Sequence, residues 1–199
     1  MERRTRHVLM IMILAAALTG LGSLTLFGLY RSGGRVGLRA AAVGLLIVSY
    51  HLGMRLLVGE TVTALFRDRS FPQDRLGFRL RPYESGLYRK LKVKRWKLRM
   101  LTAKPEQFDL SRVSPGELLH NVMQAELVHR VSMALSFAPL LLIFPFGTPW
   151  AFLLTSAAAC LPDGVCVMIQ RYNRPRVLRL VTRAEKSGRA AGAKENRPR

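Results

Sequence analysis

The stretch VLMIMILAAALTGLGSLTLFGLY, from Val8 to Tyr30, runs for 23 residues without a charge. An apolar run of roughly 18 or more residues is long enough to cross the hydrocarbon core of a bilayer as a helix. That stretch decides the class, and the chain reads as an all-α integral membrane protein. A second uncharged run, Val131 to Pro162, covers 32 residues and is punctuated by Pro145-Phe-Gly-Thr-Pro149, a turn signal. Between the two lies Val36 to Val58, apolar apart from Arg39, His51 and Arg55. Four spans are expected, at about 8–30, 36–58, 128–144 and 150–169, forming a helical bundle in a single membrane domain, 1–183. The polar segment 184–199 is expected to be disordered.

Composition agrees with this class. Of 199 residues, 49% are apolar, and 32 Lys and Arg against 12 Asp and Glu give a net charge of +20. The long uncharged runs argue against a soluble nucleic-acid binder. The positive charge instead suits segments lying on anionic headgroups, where each Lys or Arg near the surface is worth about 1 kcal/mol. Membrane lipids are thus the first expected partner. Arg3, Arg4 and Arg6 precede the first span, whose apolar region exceeds the roughly 7 to 15 residues of a signal peptide, so a retained signal anchor is expected. The turn at 145–149 carries no Lys or Arg, whereas the central loop and the flank after the last span are crowded with them. The positive-inside rule then places both termini and the loop on the cytoplasmic side of the cell membrane. Cys160 and Cys166 have no metal-motif spacing and are expected as reduced thiols.

Residues 59–114 form the expected basic, interfacial loop. From Arg89 to Arg99 it places seven positive charges in eleven residues, interleaved with Leu91, Val93, Trp96 and Leu98. Such a stretch fits an interface, with the Trp ring at headgroup depth and the charges on phosphates. Its secondary structure stays open, because Leu91-Lys-Val-Lys alternates with period two and the residues after it do not. Ser114-Pro-Gly-Glu117 then announces a helix by a capping box with Pro at the first helical position. The helix is expected to begin outside the membrane and enter it near Val131, continuing to residue 144.

Four polar groups are candidates for chemistry. Glu126 and His129 are three residues apart on one side of that helix; a carboxylate that orients a His is the usual arrangement for a general base acting on a hydroxyl. The plain alternative is an ordinary polar pair where a helix meets headgroups. His51 and Arg55 share a face of the second span, and an ionisable group at membrane depth is a functional hypothesis by default. Gln170-Arg-Tyr-Asn-Arg-Pro-Arg176 closes the last span. Its guanidinium forks suit phosphate, and its plain alternative is a stop-transfer cluster. Asp163, beside Pro162 and Gly164, reads as structural. Four histidines are too few for a histidine-box enzyme, and no zinc-protease, phosphate-loop or nucleophile-elbow motif occurs, so no metal ligand is assigned.

Lys92-Val-Lys-Arg-Trp-Lys97, Gln124-Ala-Glu-Leu-Val-His129 and above all Gln170-Arg-Tyr-Asn-Arg-Pro-Arg176 resemble the glycosyl-4,4'-diaponeurosporenoate acyltransferases. These are small integral membrane enzymes that esterify the sugar of a glycosylated C30 carotenoid acid with a fatty acyl chain, the last step toward staphyloxanthin. The resemblance spans roughly Tyr83 to Leu180. It implies acyl transfer to a hydroxyl of a lipid-embedded glycosylated acceptor, with acyl-CoA or acyl carrier protein as co-substrate and no resident cofactor. His129 is then the expected base, Glu126 its orienter and His51 a further catalytic candidate. Arg55, Lys94, Trp96, Lys97, Gln170, Arg171, Tyr172, Asn173 and Arg174 are the expected substrate-binding residues. No Ser or Cys with an evident partner offers a covalent route, so direct attack by the hydroxyl is expected. Glu126, His129, Gln170, Asn173, His51 and Arg55 are expected to converge on one cleft at the cytoplasmic interface. The rival reading is a non-catalytic assembly or scaffold protein of the cell envelope, in which the arginines only fix topology. Oligomeric state is not legible in the sequence.

Overall fold

A computed structural model describes residues 3–67, 71, 78–97, 105–147 and 149–195. The fold is all-α, with no strand among the described residues. Four helical stretches, Arg6–Arg31, Val36–Leu65, Pro115–Phe146 and Pro149–Gly188, are long and apolar enough to cross a membrane. The chain divides into two compact units, Met1–Leu65 with Val128–Gly164, and Phe66–Leu127 with Val165–Arg199.

In the first unit, α1 (Arg3–Arg31) and α2 (Val36–Leu65) form a hairpin. Gly33 makes its turn possible at φ 100°, a conformation that costs a side-chain-bearing residue dearly. The hairpin closes on small residues: Ser23 Oγ donates to the Ala42 carbonyl and Ser49 Oγ to that of Ala16, both at 2.8 Å. Such contacts let helix backbones approach where lipid supplies no hydrophobic drive between them. Ile11, Leu14, Leu18, Leu21 and Leu24 stay exposed on α1, the apolar surface that a bilayer covers.

The helix expected through residue 144 stops earlier. α5 (Pro115–Leu135) ends, and a 3₁₀ segment, Ala138–Leu142, leads into the short α6 (Ile143–Phe146). Pro139 is the physical reason, since it has no N–H to return to the Leu135 carbonyl. Tyr50 on α2 supplies the missing donor, its hydroxyl 2.8 Å from that carbonyl. Arg39, expected to reach an interface, donates to the Pro145 carbonyl at 3.1 Å. The capping box is present: the Ser114 N–H donates to Glu117 Oε2 at 2.7 Å, and the Glu117 N–H to Ser114 Oγ at 3.2 Å.

In the second unit, Leu118, Leu119, Val122 and Met123 of α5 pack with Val177 and Phe71 in the core. Phe66 stacks on Phe71 at 4.7 Å. The central loop is partly helical: α3 (Pro82–Lys90) and α4 (Val93–Lys97) flank a turn in which Lys92 takes φ 52°. That turn settles the ambiguous Leu91-Lys-Val-Lys as helix, turn, helix. Tyr88 and Val93 pack with Ile169, which lies on α7 (Pro149–Glu195), 47 residues long. At 1.5 Å per residue α7 extends about 70 Å, beyond a hydrocarbon core of roughly 30 Å. It also runs through most of the segment expected to be disordered, whose Ala, Glu, Lys and Arg are strong helix formers.

Candidate functional site

The first unit gathers its ionisable side chains around Asp163. This carboxylate is buried on α7, in the run otherwise free of charge. Its Oδ1 lies 2.8 Å from His129 Nδ1 on α5, and its Oδ2 lies 2.5 Å from Arg55 Nη2 on α2. Arg55 is itself fixed by the carbonyls of His51, at 3.0 Å, and Ala159. An ionised carboxylate accepts, so a hydrogen bond here requires a proton on His129 Nδ1. His129 is about a third exposed at its side chain while Asp163 is nearly closed off.

His51, one helical turn before Arg55, is buried, and neither ring nitrogen has a hydrogen-bond partner among the described residues. Buried polar atoms left in that state are costly. A polar guest that satisfies one of them would gain accordingly.

The second unit holds a different network. Glu126 is fully buried, and its two oxygens accept from Arg171 Nη1 and Arg174 Nη1, each at 2.8 Å. Arg171 turns its other edge on Glu84 of α3, with Nε 2.8 Å from Oε2 and Nη2 on Oε1. Arg174 Nη2 donates to the Phe78 carbonyl. Tyr88 donates its hydroxyl to Glu84 Oε2 at 2.7 Å, and the Arg81 N–H to Glu84 Oε1 at 3.0 Å. Burial alone would push the Glu84 carboxyl up. The hydrogen bonds from Arg171, Tyr88 and the Arg81 backbone, with the Arg171 charge, outweigh it and hold the group at about 2. Tyr88 is pushed up to about 12 by burial, by its bond to Glu84 and by that carboxylate's charge, against the opposing pull of Arg171. Two guanidiniums and two carboxylates thus neutralise one another, which is what buried charges require.

The structure adds partners that the spacing of Glu126 and His129 does not show. Glu126 accepts from two arginines, and Asp163, read from sequence as structural, lies against His129 Nδ1. Arg171 and Arg174, expected to bind substrate phosphates, spend their forks on buried carboxylates. Of the six residues expected on one cleft, His51, Arg55 and His129 fall in the first unit, and Glu126, Gln170 and Asn173 in the second. The Gln170 Oε1 is buried without a hydrogen-bond partner among the described residues. Lys94 and Tyr172 line a cavity of the second unit. Trp96 and Lys97 belong to α4, and their side chains lie outside the described residues. Glu84 and Tyr88 were missed; Pro82 at a helix start with Glu two residues later was the available signal. Among the described residues no three His, Cys, Asp or Glu side chains gather as a metal ion would need.

Four helices long and apolar enough to cross a membrane, with a His held by a buried carboxylate, suit a helical, multi-pass type of membrane protein. The chain belongs to the glycosyl-4,4'-diaponeurosporenoate acyltransferase family, whose model matches residues 70–183. That stretch includes Glu84, Glu126, His129, Asp163, Arg171 and Arg174, and the family's name is that of an acyltransferase. Neither a curated protein nor a solved structure matches the chain.

Proposed function

We propose that the chain transfers a fatty acyl group to a hydroxyl of a membrane-embedded glycosylated lipid, with a glycosylated C30 carotenoid acid as the acceptor. The observation that carries this reading is the 2.8 Å contact between His129 Nδ1 and Asp163 Oδ1, in a stretch whose apolar surroundings make any ionisable group expensive. With Nδ1 anchored, His129 Nε2 takes the proton from the acceptor hydroxyl as its oxygen attacks the acyl carbonyl. The bond to the donor's leaving group breaks, and the imidazolium returns the proton to that group. Asp163 keeps the tautomer and stabilises the imidazolium as it forms, and Arg55 holds the carboxylate in place. His51, buried with both nitrogens unpartnered among the described residues, is assigned to hold the acceptor's sugar. The family name supports the acceptor; acyl-CoA or acyl carrier protein is the donor class this chemistry needs.

The experiment is expression of the chain in cells that make the glycosylated acceptor, with lipid extracts read by mass spectrometry. An added acyl mass on the glycosylated species is expected. Extracts indistinguishable from those of cells lacking the protein would remove the reading.

A further inference from the structure

The second unit contains a cavity of about 500 Å³, within the range of small-molecule sites, and none of its lining residues takes part in the His129 chemistry just proposed. Its wall carries Arg81, Arg89, Lys92, Lys94, Arg176 and Arg179. The carboxylate that also lines it, Glu84, is already neutralised by Arg171, so the six cations give the cavity a strong positive field. Like charges crowded in one concavity repel, and an anion relieves that repulsion.

The backbone supports a ligand role. Lys92 holds a positive φ of 52° at the turn between α3 and α4, a conformation that glycine adopts at lower cost. The strain puts a lysine on the cavity wall, beside Lys94, and strained residues of this kind cluster at ligand clamps. Arg176 Cζ sits over the Tyr172 ring, 3.9 Å from its centroid, with Nη2 donating to the Tyr172 hydroxyl at 2.7 Å, which pre-sets its fork. Tyr172 in turn meets Tyr88 edge-on at 6.3 Å. Arginine forks and lysine point charges around an aromatic wall are the donor set that takes phosphate esters.

We propose that this cavity binds the phosphates of a multiply phosphorylated ligand. Its soluble form is a nucleotide-type acyl thioester, an identification that rests on the acyltransferase reading; its membrane form is a phosphate-bearing lipid headgroup, which shares the chemistry.

The test is calorimetry on the full chain in neutral detergent, titrated with coenzyme A and with inorganic pyrophosphate, and in parallel thermal unfolding in phosphatidylcholine vesicles with and without phosphatidylglycerol. The variants are Lys92→Gly, which suits the positive φ and so keeps the turn, Lys94→Ala, and the pair together; Arg35→Ala controls for net charge. If the source is soluble, coenzyme A and pyrophosphate bind, the affinity falls with salt, and the double variant weakens it about tenfold or more. If the source is lipid, only phosphatidylglycerol raises the unfolding temperature, and the double variant loses that gain. Equal behaviour of wild type and double variant toward all three probes overturns the proposal. The same titration on His129→Ala separates the two readings, because binding persists there whether or not acyl transfer occurs.

Discussion

Asp163 shows how a residue's role depends on what folds back onto it. Its neighbours in sequence suggest a helix break, yet its oxygens serve His129, 34 positions earlier, and Arg55, 108 positions earlier. Glu126 shows the same dependence, since an i,i+3 spacing shows only what one helix offers itself, while Arg171 arrives from 45 residues downstream. The rule that would have found Asp163 is the cost of a lone acid in an uncharged run. Glu84 carries a pH prediction. Its folded value of about 2 lies below the ordinary 4.5, so its contribution to stability is fully present above pH 4.5 and is lost as pH falls through about 2. Thermal melts of wild type and Glu84→Gln across that range should converge at the acid end, and a constant gap between them would contradict the assignment. Arg171→Lys keeps the charge but loses the fork that spans Glu84 and Glu126, at a cost of about 2 kcal/mol. A lowered melting temperature is the expected result; a silent substitution would favour the reading in which these arginines only set topology.

At the scale of elements, the spans and the helix start at Ser114 were legible because hydropathy and capping are local. The stop at Leu135 was also written locally, in Pro139, but the apolar run continues through it and hides the break. The Lys92 turn was not legible, because a positive φ at a lysine contradicts its own propensity. Packing of the first hairpin makes a contrast of two glycines. A Cβ at Gly20 would lie 3.0 Å from Ser49 Oγ, whereas one at Gly37 would meet nothing within 4 Å. Ser49 Oγ is committed to the Ala16 carbonyl, so it yields only by giving up that bond. Gly20→Ala should therefore destabilise by about 1 kcal/mol, and Gly37→Ala should be neutral or stabilising. Unfolding in detergent would check both; the reverse order would mean that α1 and α2 pack differently.

For the whole molecule, four apolar helical stretches suit a multi-pass chain, and the positive-inside rule applied to its basic residues predicts the orientation. Reporter fusions at residue 33, residue 100, residue 147 and the C-terminus should place residue 100 and the C-terminus in the cytoplasm, with residues 33 and 147 outside. A C-terminus found outside would reverse the assignment. The family was legible from three motifs, and the partner of His129 was not, because it needed the fold. That partner offers the most direct test. Cells making the glycosylated acceptor should be given wild type, Asp163→Asn, His129→Gln or Glu126→Gln, with membrane abundance of each measured beside the acylated product. At equal abundance the account predicts that Asp163→Asn and His129→Gln lose the acyl increment, while Glu126→Gln, where it still accumulates, keeps it. Full product from Asp163→Asn and His129→Gln would contradict it.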